Sequence, residues 1–303
     1  YPLTQIPLTL PHLFANDEPL QSLKICINDN PDCCIEIQYE APNCDGLVWP
    51  GDGNRDNVCD HFDLMSLGLA YGLEGQQRSV QGIEWTGLPA ENWANYLDNG
   101  VNAKYADFNG NGVVNIVDMT ALLVNFGETN GEPQPAAFVE GGENDPPLFV
   151  DLPAASAMQP GMTFSAPLML GTPDAQLDDV YGIAFTLKFV PEIINPASIE
   201  LQYDPSWLGV LAVNLLAYDR TLADAGEVKV SLVRTDHNNV SGHGQIAGII
   251  GIIDNIAGKE SVAIEVKDVK AIRENEELIA LRKPVEVVDL TINGIKDSKM
   301  EEL

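Results

Sequence analysis

Two twelve-residue segments, DGNRDNVCDHFD from Asp52 and DFNGNGVVNIVD from Asp107, carry oxygen-bearing side chains at positions 1, 3, 5, 9 and 12 and a valine at position 7. The first offers Asp52, Asn54, Asp56, Asp60 and Asp63 with the carbonyl of Val58. The second offers Asp107, Asn109, Asn111, Asn115 and Asp118 with the carbonyl of Val113. Alternate residues of a tight coil point inward, so each segment can gather hard oxygen donors and nothing softer. Ca2+ takes roughly six to eight such oxygens, and one structural Ca2+ per loop is the expected occupant. A single loop of this kind could be a run of Asx-rich surface turns. A second in the same register, 55 residues on (107 − 52), argues for shared chemistry.

Each loop runs directly into a helical pattern, FDLMSLGLAYG from Phe62 and VDMTALLVNFG from Val117, with no amphipathic helix leading in. Position 12 is Asp where an EF-hand has Glu, and the turn glycine of position 6 is Asn57 in the first loop and Gly112 in the second. The pair resembles a type I dockerin, an EF-hand-type module whose loops lack the entering helix and end in Asp. Dockerin repeats sit closer together, so Glu74 to Asn102 reads as an insertion. Its AENWANYL is expected to be a short helix, with Trp85 and Trp93 filling a core rather than serving as sugar platforms.

At 303 residues the chain has room for two or three domains and a sizeable core. Its net charge is −29, which two Ca2+ would reduce only to −25 (−29 + 4). Such a surface repels a phosphate backbone, which excludes nucleic acid as a partner and disfavours anionic lipid. The most apolar stretch, IAGIIGII from Ile246, ends at Asp254 and is too short to span a bilayer, so no membrane insertion is expected. A first residue of Tyr1 reads as a processed or excised chain. The five cysteines, Cys26, Cys33, Cys34, Cys44 and Cys59, cluster without histidines at zinc spacing. They read as two disulfides formed in an oxidising compartment with one thiol left over, and Cys59 could pin the first loop to the N-terminal hairpin. Connectivity stays open.

Four segments follow. Residues 1–45 are an extended N-terminal strand and a disulfide-bonded β-hairpin around Asn28 to Asp32, and 46–130 are the calcium module. Residues 131–147 are a Pro, Gly and acid-rich linker. Residues 148–303 are a β-sandwich read from LFVDL, MTFSAPLML, VYGIAFTLKFV, SIELQYD, GVLAVNLLAY, EVKVSLVRT, QIAGIIGII, SVAIEVKDVKAIR and PVEVVDLTI. GMTFSAPLMLG, VYGIAFTLKFVPEIINP and SGHGQIAGIIGII resemble the opening, Pro-marked and late core strands of a cohesin, with a generic immunoglobulin-like sandwich as the alternative. The expected fold class is therefore mainly β, a sandwich joined to a small α calcium module. The whole order is similar to secreted surface proteins of Bacteroidota, in which VWPGD and YGIAF segments precede a type IX secretion sorting domain. By that resemblance, DSKMEEL is expected to be the point after which such a signal followed and was removed.

No nucleophile elbow, zinc-protease helix or phosphate-binding glycine loop is present, so no enzyme is expected. His237 and His243 flank one loop, and Asp178, Asp179 and Asp254 could join a further cation site. A solvated turn and unpaired surface acids are the simpler readings. The expected role is a secreted, extracellular or cell-surface structural subunit. It would self-assemble head to tail, the module or the LTQIPLTL strand of one copy lodging against the sandwich of the next. An adaptor for other secreted proteins, or a glycan-binding portion of a hydrolase or adhesin, is the alternative.

Overall fold

The computed structural model describes residues 46–254 and 261–289, together with the backbone of Phe14–Ala15, Glu18–Pro19, Ser22–Cys26 and Cys34–Gln38. The chain divides into a small unit, Tyr1–Leu47, and a large one from Val48 onward. In the small unit Ser22–Cys26 pairs antiparallel with Cys34–Gln38, Cys26 standing opposite Cys34, which is the expected hairpin. LTQIPLTL, Cys33 and Cys44 lie outside the described residues, and with them any strand donation.

The large unit carries nine main strands: β1 (Leu148–Val150), β2 (Thr163–Leu170), β3 (Gly182–Lys188), β4 (Glu200–Gln202), β5 (Leu215–Leu222), β6 (Glu227–Arg234), β7 (Gly244–Ile252), β8 (Glu265–Ile272) and β9 (Leu278–Ile279). They form a five-stranded sheet, β5-β6-β3-β8-β9, and a four-stranded sheet, β4-β7-β2-β1. The named pairs are antiparallel. The sheets enclose a core that includes Leu168, Leu170, Phe164, Phe185, Leu187, Val230, Leu232 and Ile249. This is the β-sandwich expected from the strand pattern.

The two sheets differ in what covers their outer faces. Strand β2 alternates between buried and more exposed residues, as a strand with one solvated face must. Strand β3 is buried from Gly182 to Leu187 without alternation, because both of its faces are covered. The covering layer is the expected calcium module. Helix α1 (Asp63–Leu69) packs on β6, β3 and β5, and α2 (Met119–Asn125) lies beside it. One core joins Phe62, Leu64, Met65, Leu67, Trp93, Phe108, Val114 and Leu122 of the module to Tyr181, Ala184, Leu216, Tyr218, Val233 and Ile272 of the sandwich.

The contact is closest at Gly68. A Cβ there would stand 2.3 Å from Cγ2 of Val233 and 2.8 Å from the carbonyl of Arg234, so only glycine allows the helix backbone this near the sheet. The Tyr181 hydroxyl donates to the Gly68 carbonyl at 2.9 Å, and a ring nitrogen of His237 meets the Tyr71 carbonyl at 2.8 Å. At the other helix Arg220 donates to the Leu123 carbonyl at 3.3 Å and Phe126 stacks on Tyr218. The outer face of this sheet is thus covered by the chain's own module. Residues 131–147 are fastened as well. Gln134 N donates to the Asp56 carbonyl, Phe138 meets Phe62, and Pro147 bridges to Arg282.

Three local expectations are corrected. AENWANYL is not a helix: Asn102 accepts from Trp93 N and donates back to the Trp93 carbonyl, and Tyr96 bridges to Asn102, which holds the segment extended. Trp93 itself fills the core, its indole donating to the Gln76 carbonyl. The segment GVLAVN does not extend strand β5, because Val210 and Asn214 close a turn that leaves Val213 exposed. Cys59 is a buried free thiol, so it does not pin the loop to the hairpin. Among the described residues no helix is long and apolar enough to cross a membrane.

If the helix–sheet seat at Gly68 holds the large unit together, Gly68→Ala should cost about 1–3 kcal/mol through overpacking. Tyr181→Phe should cost about 1 kcal/mol through the lost hydrogen bond. Urea denaturation measures both, and an unchanged midpoint for Gly68→Ala would contradict the seat.

Candidate metal centre in the paired loops

The two loops fold by the same internal hydrogen bonds. At position 12, Asp63 accepts from Gly53 N at 2.8 Å, Asn54 N at 3.1 Å and Asp60 N at 2.8 Å. Asp118 accepts from Asn109 N at 3.0 Å and Asn115 N at 2.9 Å. At position 1, Asp52 and Asp107 accept from the amides of Asp56 and Asn111, each at 3.1 Å. Asn54 and Asn109 at position 3 accept from those same amides at 2.8 and 2.9 Å. Asp56 and Asn111 accept from Val58 N and Val113 N, and Asp60 and Asn115 from Phe62 N and Val117 N. These side-chain-to-backbone bonds curl each loop so that alternate residues face one centre. The ten Asp and Asn side chains of the expected sites thus share a hydrogen-bonded curl, five to a loop, and Val58 and Val113 enter it through their amide N–H groups.

Left-handed backbone at positions 4 and 6 tightens the curl. Arg55 and Asn57 adopt φ of 63° and 72° where Gly110 and Gly112 adopt 78° and 86°. Asn tolerates this region better than most residues, which explains its use in place of the turn glycine. The repeat extends beyond the loops. The segment leaving α2 lies along the first loop, with Gly127 N on the Cys59 carbonyl and Asn130 N on the Asn57 carbonyl. The segment leaving α1 lies along the second in the same way, with Gly72 N on the Val114 carbonyl and Gly75 N on the Gly112 carbonyl. Each helix thus ends by bracing the other helix's loop, a reciprocity that sequence reading of the loops alone misses.

Charge in the loops is high and poorly compensated. Asp63 and Asp118 are fully buried, and Asp52 and Asp107 nearly so. Among the described residues no lysine or arginine forms an ion pair with any loop carboxylate; His61 Nδ1 lies 3.8 Å from Asp60. Burial pushes Asp52 up to about 6, opposed by the Asn130 hydrogen bond and reinforced by Asp56. It pushes Asp60 up to about 7 and Asp118 up to about 6. Asp63 rises well above the usual carboxylate range through burial and then the charges of Asp60, Asp52 and Asp56, and burial also raises Asp56 and Asp107. Among the described residues no three His, Cys, Asp or Glu side chains form a metal cluster by themselves. Each loop instead mixes its carboxylates with Asn amide oxygens and a Val carbonyl, a donor set that fits a hard cation and no soft one.

The remaining candidates stay apart. Asp178, Asp179 and Asp254 are exposed. His237 serves the module contact, 3.6 Å from Glu274 on its other nitrogen, and does not meet His243 at a metal.

No protein-family model matches the chain, and no curated protein does. Solved structures with a similar arrangement include a non-cellulosomal cohesin from the archaeon Archaeoglobus fulgidus, 12% identical, covering 48% of this chain and 90% of that one with a TM-score of 0.37. A chain of a type I cohesin–dockerin complex from Clostridium thermocellum is 10% identical and covers 48% of this chain and 99% of its own at 0.40. A type II cohesin domain from the cellulosome of Acetivibrio cellulolyticus is 13% identical and covers 48% and 95% at 0.35.

The raised carboxylates define a pH signature for the ion-free protein. Its folded state holds these protons more tightly than the unfolded chain, whose Asp groups titrate near ~3.9. Stability without the ion should be greatest below that value and fall as pH rises through about 6 to about 7. Melting in chelator from about pH 5 to about pH 8 should show a falling midpoint, and calcium should abolish the fall by binding the ionised form. A chelated midpoint that rises over this range would contradict the buried-carboxylate account.

Proposed function

We propose that this is a calcium-clamped, non-catalytic extracellular binding protein, in which an EF-hand-type module of dockerin-like form is locked onto its own cohesin-like sandwich. The observation that carries the reading is the duplicated donor set: two loops 55 residues apart (107 − 52), closed by matching hydrogen bonds and burying carboxylates with which, among the described residues, no lysine or arginine forms an ion pair. Ca2+ bound there would neutralise charge where both helices begin, Asp63 being the first residue of α1 and Asp118 the residue before α2. Asp52, Asn54, Asp56, Asp60, Asp63 and the Val58 carbonyl would hold one ion. Asp107, Asn109, Asn111, Asn115, Asp118 and the Val113 carbonyl would hold the other. The ligand sets contain neutral Asn, which suits a medium rich in calcium and supports a secreted or cell-surface location.

The partner surface favoured by this structure is α2. Ile116, Val117, Leu123 and Val124 are exposed and large, the first two at positions 10 and 11 of the second loop and the others in α2. Offset by 55 residues, Leu123 and Val124 correspond to Gly68 and Leu69, which the sandwich covers. A protein partner on this stripe makes the chain an adaptor or an assembly subunit. Self-assembly through this stripe would leave the covered sheet undisturbed.

Elemental analysis should find two calcium ions per chain, and excess chelator should lower the melting temperature through loss of ions bound only by the folded state. Asp52→Ala and Asp107→Ala should each abolish or weaken one site, the first with the larger loss of stability because its loop carries four carboxylates against two. Calcium-free protein with unchanged melting in chelator would end the reading. For the partner surface, cross-linking should map to residues 116–124, and Val124→Glu should remove it without moving the calcium-bound melting temperature.

A further inference from the structure

The two loops differ in one buried group. Arg78 lies in the segment leaving α1, and its counterpart in the repeat is Pro133 (133 − 78 = 55). Its backbone N donates to the Gly110 carbonyl at 3.1 Å, and its guanidinium Nη2 donates to the Phe108 carbonyl at 2.6 Å and the Gly82 carbonyl at 3.4 Å. The residue is 5% exposed, and among the described residues Nε and Nη1 have no hydrogen-bond partner. Desolvating an arginine with two nitrogens unpaired is costly unless nearby negative charge offsets it. Asp107 and Asp118 supply that charge and favour the protonated guanidinium against the effect of burial.

The sequence has made room for this group. Gly110 occupies loop position 4, and a Cβ there would stand 2.2 Å from Nε of Arg78. In the first loop position 4 is Arg55, whose guanidinium points away to lie over the Tyr105 ring at 4.6 Å. The first loop therefore presents four carboxylates with no buried cation in the corresponding place. The second presents two carboxylates beside a fixed positive charge.

We propose that Arg78 is a resident counter-cation and positioning residue of the second loop, holding that loop closed without a metal ion and making it the weaker of the two calcium sites. The affinity half rests on the calcium reading above; the ion-free folding half does not. A divalent ion entering the second loop meets two negative charges reduced by one buried positive charge, whereas in the first it meets four, offset by the partly exposed Lys229 and Lys270, and charges in partly buried surroundings interact by kcal/mol.

Two measurements test this. In chelator, hydrogen exchange should protect the amides of Asn111, Gly112 and Val113 in the native protein, and Arg78→Met should remove most of that protection. In calorimetric titration with calcium alone, the two native sites should differ by about tenfold or more, and Arg78→Met should tighten the weaker one by about tenfold. Arg78→Lys, which keeps the charge but loses the planar fork, should leave the weak site weak while reducing protection, and it serves if Arg78→Met does not fold. Protection and affinity that are unchanged in Arg78→Met, or a weak site that becomes weaker still, would overturn the proposal. If native protein binds no calcium, the calcium reading and the affinity half fall together, while exchange in chelator still decides the folding half.

Discussion

Buried negative charge at the start of two short helices, ion-paired with no lysine or arginine among the described residues, is the constraint from which the rest of the large unit follows. Asp63 is at once the last residue of the first loop, the first residue of α1 and the acceptor that closes the loop through three amides. If its charge is balanced the helix begins where it must to place Gly68 against Val233. If not, four carboxylates repel one another beneath a helix of seven residues that has little stability of its own. The sheet contributes the complementary half, because β3 sets Ile183, Phe185 and Leu187 into the sandwich core and Ala184 into the core shared with the module, and its outer face would meet water without that module. Loop charge, helix start and sheet cover are therefore coupled, although they are far apart in sequence.

The loops were legible residue by residue because their chemistry is local: donor spacing, helix onset and the departures at positions 6 and 12 all lie within twelve residues. The sandwich was legible as a series of strands, since alternation in β2 and apolar runs in β3 and β7 survive in the pattern. What failed has long-range causes. AENWANYL has helical spacing, yet the Asn102 side chain takes over the Trp93 amide and carbonyl. GVLAVN has strand composition but closes as a turn before β5. Arg78 looked like any charged residue in an insertion, and only the folded chain brings it beside Gly110.

The docking of the module onto its own sandwich was also invisible, although two signals for it exist. The run YGIAF leading into β3, without polar alternation, implies a covered outer face, and Gly68 is a costly residue inside a seven-residue helix unless something must approach it. Together they point to a helix lying on that sheet, but not to which helix or which copy of the chain. Docking in cis covers the outer face of that sheet within one chain. Exposed apolar side chains remain on Ile116, Val117, Leu123 and Val124 and on the Val210, Leu211 and Val213 turn, set in a protein whose net charge of −29 discourages close approach of like copies.

Hydrogen exchange followed on calcium removal tests the coupling most directly, read together on α1 and on the facing strand β6. The account predicts that chelation exposes the amides of residues 63–71 and 227–234 in concert, with calcium restoring both. Loss of protection confined to the loops, with α1 and β6 unaffected, would contradict the claim that ion binding and helix docking are one event.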